Sequence, residues 1–219
     1  MIVATPGFSA TTKTPITIDS MARQFGKVPI QMRQWVRHII DVPADNGSAF
    51  EWDGTVTFVN PADDMLPVII HETGHSLDLS GAYADNTMSD SDNWWNNYDQ
   101  DSNVPDNYAQ TNAREDVAQN IVNAVFNENV YGGYGSMHQF ETLIDEAATA
   151  GQGNSPFKPG ENVQCTHRLP PSAPVSTDGS SKTRRARRGM PSVGLSDKVI
   201  ALSTSREGDD KHSRCGLHW

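Results

Sequence analysis

His71, Glu72 and His75 stand together in the run VIIHETGHSLDL, two imidazoles four residues apart with a carboxylate beside the first. In an α-helix each residue advances about 100°, so His71 and His75 leave from one face and can reach a common ion. Glu72 lies one step round, near that ion but off the ligand direction. Neutral imidazoles bind Zn2+, and a neighbouring carboxylate can take a proton from activated water. The chemistry these residues predict is hydrolysis, with His71 and His75 as ligands and Glu72 as general base. A pattern with three fixed positions also arises by chance on surface helices. Here the apolar residues Val68, Ile69 and Ile70 precede it, which roots one side of the helix in a core and holds both rings at a fixed depth.

A catalytic zinc requires a third protein ligand and one open position. An extended HExxHxxGxxH would need Gly at 78 and His at 81, but those positions hold Asp78 and Gly81, and a GTxDxxYG segment is absent. The remaining pattern places an acid on a later helix, where YAQTNAREDVAQ offers Tyr108, Glu115 and Asp116. Adjacent helix positions diverge by about 100°, so one of the two carboxylates faces the metal and the other is solvated or partners the helix dipole. Tyr108 either lends its hydroxyl to the site or is an aromatic with a satisfied hydroxyl. Asp78 either fixes a ligand imidazole from behind or is a polar residue at a helix end. Asn112 reads as a helix N-cap.

The elements that must position these groups follow from periodicity. Val28 to Val42 carries Ile30, Trp35, Ile39 and Ile40 at helical intervals and is expected as an amphipathic helix ending near Pro43. Phe50 to Asn60 reads as a hairpin or bent strand about Asp53-Gly54, with the strand over Thr55 to Val59. The first ligand helix is expected from Met65 to Leu79, with Gly81 as C-cap. Asp85 to Pro105 is rich in Asn, Asp and Ser and reads as irregular with one short helix, its Trp94, Trp95 and Tyr98 packing the loop or lining a groove. A second long helix is expected over Asn112 to Asn127 and a third over Met137 to Ala150.

Composition bounds the function. The chain has 219 residues, 36% hydrophobic, against roughly 45–50% in globular domains, so part of it is expected to lie outside a packed core. Residues 1–170 hold 8 basic and 22 acidic side chains, and 171–219 hold 9 and 5. An acidic body of net −14 argues against nucleic acid as a partner, because phosphate recognition draws on clustered Lys and Arg. No run approaches the roughly 20 apolar residues that span a bilayer, so no membrane partner is expected. The opening residues, MIVATPGFSATTKTPITI, contain no basic stretch leading into an apolar one, and no secretory signal is legible there. Cys165 and Cys215 are either one bridge or two thiols. His38, His138, His167, His212 and His218 lack a partner at ligand spacing and are assigned no role. Arg184 to Arg188 reads as solvated tail, or else as an anion-binding or processing segment.

HETGHSLD followed by YAQTNARED resembles the lethal-factor-like zinc peptidases, whose pattern is HExxH and later a Tyr, six residues and a Glu. The likeness is closer to secreted fungal proteins of the conidiation-specific type, from the strand near Gly54 through the Asn-rich loop to Asn129, roughly a third of the chain. It implies Glu115 as third zinc ligand, Tyr108 as the hydroxyl supporting the tetrahedral intermediate, a peptide or protein substrate, and an extracellular setting. Where the family pattern often carries an aromatic and an acidic residue after the metal Glu, this chain has Val117 and Gln119. Core and outer-shell details are therefore expected to differ.

The expected architecture is α+β, mostly α: a flexible 1–14, a zincin-like catalytic domain over 15–160 with a small sheet, and a low-complexity, mostly disordered 161–219. The strand Thr55 to Val59 is expected at the sheet edge beside the cleft, where a bound peptide would add to it. The expected function is a zinc-dependent endopeptidase; the alternatives are a non-catalytic secreted or surface protein that keeps its zinc site, and an anion-binding module acting through the Arg-rich tail.

Overall fold

Asp53 and Gly54 both take positive φ, 48° and 74°, the geometry of a two-residue loop whose twist matches the strands it joins. In the computed structural model this loop connects β3 (Ser48–Trp52) to β4 (Thr55–Val59), with Trp52 opposite Thr55 and Ser48 opposite Val59. The Gly54 N–H donates to Glu51 Oε1 at 2.6 Å, and a Cβ on Gly54 would have to displace the end of the Leu169 side chain. The hairpin expected over Phe50 to Asn60 is present. The structure describes residues 2–4, 16–80, 82–83, 87–133, 135, 137–139, 142–143, 156–158, 165, 167–172 and 216–218.

The helix expected over Val28 to Val42 divides in two. A single turn, α2 (Ile30–Arg33), follows Pro29, and the chain then extends as β2 (His38–Val42). Ile39 and Asp41 are buried while His38, Ile40 and Val42 are half-buried, the period of two that marks a strand. Trp35, Ile39 and Ile40 imitate helical spacing, but the β-branched residues are concentrated in the last five positions, where a pleated surface suits them.

The strand Thr55–Val59 is not at an edge. β2 pairs with β4 in parallel, His38 opposite Thr55, and β3 covers the other side of β4. Two three-residue strands complete the order β1-β2-β4-β3-β5: β1 (Ile2–Ala4), parallel to β2, and β5 (Gly216–His218), antiparallel to β3. With a strand on each side, β4 has no free row of backbone groups for a peptide to join.

The helices form the other layer. The amide oxygen of Gln24, on α1 (Ile18–Phe25), accepts from Met65 N at 3.0 Å and holds the start of α3 (Leu66–Leu79). Ser80 caps α3; Gly81, expected in that place, lies outside the described residues. Between the ligand segments runs one short helix, α4 (Asp92–Tyr98), capped by the Ser91 hydroxyl. α5 (Ala113–Asn129) begins at Asn112 as expected, its side-chain oxygen accepting from Arg114 N and Glu115 N at 3.0 and 3.1 Å. Of the third expected helix, His138–Gln139 and Thr142–Leu143 are helical and the rest lies outside the described residues. α3 packs chiefly on α5, and Val56, Phe58, Ile69, Leu77, Val117 and Ile121 join sheet and helices in one core. The fold is α+β, with more helix than strand among the described residues.

Part of the segment read as tail lies on this body. The His167 ring stacks on Trp35 at 4.0 Å, the His167 backbone N–H donates to Gln34 Oε1, and Ser172 meets His38 Nε2 at 2.8 Å. Cys165 is exposed and free, while Cys215 and Arg184 to Arg188 lie outside the described residues. No described helix is long and apolar enough to cross a membrane.

Candidate metal centre

α3 presents His71 and His75 from one face, and α5 presents Glu115 from its first turn, three residues past the Asn112 cap, to whose side chain its own N–H donates. The three side chains meet: His71 Nε2 lies 3.0 Å from Glu115 Oε2, His75 Nε2 lies 3.3 Å from the same oxygen, and the two Nε2 atoms are 3.0 Å apart. Ligands held at about 2.0–2.1 Å around a tetrahedral ion are separated by roughly 3.3 Å, so this triangle has the dimensions of one face of a zinc shell. All three residues are buried. Gly74 sits between the histidines where α3 crosses α5, and a Cβ on it would lie 3.3–3.4 Å from Ile121 and Ala118. A small residue at this position lets the two ligand-bearing helices approach.

The proton arrangement follows from a third residue of α5. The Gln119 amide nitrogen donates to Asp106 Oδ2 at 2.6 Å, so the amide oxygen faces His71 and accepts from its Nδ1–H at 3.0 Å. His71 therefore turns a lone pair, when neutral, toward Glu115. Burial holds His75 below its ordinary value, despite the opposing hydrogen bond to Glu115. Burial would raise Glu115, but the adjacent His71 and His75 rings, which bond to its carboxylate when an Nε2 carries a proton, outweigh that and hold it well below the usual carboxylate range. Three electron-pair donors thus share a space that one cation, a proton or a metal ion, reconciles.

Glu72 is fully buried, and neither carboxyl oxygen has a hydrogen-bond partner among the described residues. Burial, then the nearby charges of Glu115 and Glu51, push it well above the usual carboxylate range. A buried carboxyl with both oxygens unmatched is costly, and a divalent cation beside it would supply the missing positive charge. The donor set and this orphaned acid together fit a Zn2+ centre held by His71, His75 and Glu115. Tyr108 lies on the same side, its ring 5.9 Å from that of His71 and half-buried.

Other residues marked in the sequence are placed elsewhere. Asp78 does not stand behind His75; it accepts from the Ser89 N–H at 2.9 Å and the Ser89 hydroxyl at 2.7 Å, tying down the loop after α3. Asp116 is not solvated: it lies in the first turn of α5 but is buried, and accepts from Gln139 and Asn120 at 2.7 and 3.0 Å. Trp94 is core, while exposed Trp95 and half-buried Tyr98 form an edge-on pair at 5.4 Å. Asp106 is the site residue that sequence reasoning passed over, and Gln119 is marked there only as a departure from the family pattern, with no contact assigned. Gln119 could have been found by its place four residues after Glu115, on the same helix face.

The chain matches the family described as conidiation-specific protein Con-13 over residues 4–168. It is 28% identical over 123 residues to conidiation-specific protein 13 of Neurospora crassa, an alignment covering 55% of this chain and 36% of the relative. The chain thus spans little more than a third of that relative's length. No solved structure matches it.

Proposed function

We propose that this chain, which belongs to the conidiation-specific protein Con-13 family, is a zinc-dependent endopeptidase acting through His71, His75, Glu115, Glu72 and Tyr108. The observation that carries the reading is the closed triangle of donor atoms, 3.0–3.3 Å on each side, beside a buried carboxyl with no partner among the described residues. The likeness of HETGHSLD and YAQTNARED to the lethal-factor-like pattern supports it independently of the geometry.

Zinc, when bound, supplies Lewis acidity that lowers the pKa of water and polarises a peptide carbonyl. His71 and His75 hold it as neutral ligands and Glu115 as an anion. Glu72 removes a proton from the attacking water and passes it to the departing amine. The Tyr108 hydroxyl donates a hydrogen bond to the oxygen on which negative charge develops.

The test compares the full chain with Glu72→Gln and His75→Ala by elemental analysis and by digestion of a peptide library. Wild type should carry one zinc and cleave, Glu72→Gln should keep the zinc and lose cleavage, and His75→Ala should lose the metal. Cleavage by Glu72→Gln at the wild-type rate would refute the assigned base. Zinc without cleavage in wild type would return the centre to a structural role.

A further inference from the structure

Asp106, in the loop before α5, uses both of its oxygens. Oδ1 accepts from the backbone N–H groups of Tyr108 and Ala109, each at 2.9 Å, and Oδ2 accepts from the Gln119 amide at 2.6 Å. Gln119 in turn accepts from His71 Nδ1 at 3.0 Å, and the far nitrogen of that ring points at Glu115 and His75. We infer that Gln119 and Asp106 are the positioning residues of the metal centre, a neutral amide backed by an anion that sets the His71 tautomer and ties it to the segment carrying Tyr108. This rests on the zinc reading above.

The direction of every bond in the chain is determined at the Asp106 end. A carboxylate only accepts, so Gln119 must turn its NH2 outward and its carbonyl inward. The carbonyl only accepts, so His71 must carry its proton on Nδ1 and leave Nε2 as a ligand atom. An amide in contact with the ring also adds no negative charge beside Glu72, whose ionisation already meets Glu115 and Glu51. The same carboxylate fixes Tyr108 through its backbone N–H, so one surface residue locates both a ligand's proton and the start of the segment that bears the hydroxyl.

The test measures zinc dissociation constants by competition with a chromophoric chelator, with melting curves as a control, and reads the His71 tautomer of the zinc-free chain by ring 15N NMR at alkaline pH. Gln119→Leu should weaken zinc about 10–100-fold and lose the uniform Nδ1–H tautomer. Asp106→Asn should also weaken zinc, because an amide at 106 presents NH2 to NH2 and turns the Gln119 donor toward His71. Gln119→Glu should weaken it by placing two carboxylates against each other. The combination of Gln119→Glu with Asp106→Asn restores a donor facing an acceptor, and should recover most of the loss; a general packing defect would not be rescued in this way, and the pair remains informative if Gln119→Leu fails to fold. Wild-type zinc affinity in all single variants overturns the inference, as does an Nε2–H tautomer in the wild-type chain. Absence of zinc uptake by wild type sinks the peptidase reading instead, and the tautomer then decides this one without metal.

Discussion

In the proposed mechanism Tyr108 and Glu72 divide the work that the three ligands cannot do, and the two differ in how firmly the surroundings hold them. Glu72 is enclosed on α3, whereas Tyr108 is half-buried on a loop, its ring tilted 55° to His71. A hydroxyl that meets only the developing oxyanion contributes to kcat and little to binding. Tyr108→Phe should therefore retain zinc, lower kcat by about 10²-fold and leave KM nearly unchanged; an unaltered kcat would make Tyr108 a packing aromatic. At this scale the sequence discloses residues whose role depends on local spacing. His71, Glu72 and His75 are legible because one helix relates them, and Glu115 because the resemblance, with its Tyr, six residues and Glu, picks it from the Glu115–Asp116 pair that helix geometry leaves open. Asp78, Asp116 and Gln119 are not, because a side chain's type does not reveal which distant donor reaches it: Ser89, Gln139 and Asp106 are joined to them by the fold alone.

Two helices carry the ligands, and their separation is set by what stands between them. Gly74 faces Ile121 and Ala118 with 3.3–3.4 Å available to a Cβ, so a larger side chain must push α3 from α5. Gly74→Leu should cost about 1–3 kcal/mol through overpacking and weaken zinc at the same time, measured by denaturant melts and metal titration. Gly74→Ala should be close to neutral, since a helix-propensity gain of up to about 1 kcal/mol offsets the tight fit. A Leu variant that melts lower but binds zinc as tightly as wild type would separate packing from ligand geometry and count against this account. The long helices were legible because their periodicity and the Asn112 cap agree, and the hairpin because Asp53-Gly54 supplies the two positive φ angles. β2 was not, since a five-residue apolar run beside a helical turn satisfies either period. The interior place of β4 was not either, because its direct parallel pairing with β2, on the side away from β3, is made by the tertiary fold rather than by anything in its own five residues.

Across the described residues, buried acids make the chain without metal lose stability as pH rises from mildly acidic to neutral. Burial pushes Glu51 up to about 7, against hydrogen bonds from Gly54 and Ser76 that favour its charge; burial likewise pushes Asp41, Asp78 and Asp116 up to about 6. The folded chain holds these protons more tightly than the unfolded one. For Glu51 the resulting stability is complete below about pH 4.5 and is lost as pH rises through about 7. Glu51→Gln keeps an acceptor for Gly54 and Ser76 without an ionisation to suppress. Between pH 5 and pH 8, in chelator, its melting temperature should gain on that of wild type, by up to roughly 3 kcal/mol in stability; parallel profiles would show that Glu51 keeps its proton equally in both states. The packing of α3 on α5 has one more consequence. Because it brings the three donor atoms together as part of the core, the entropy of gathering them is lost when the chain folds and not when the ion arrives. Small domains that fold only around their metal combine the two events. On the proposed reading they are separate, and the ion would enter a socket that folding has already formed.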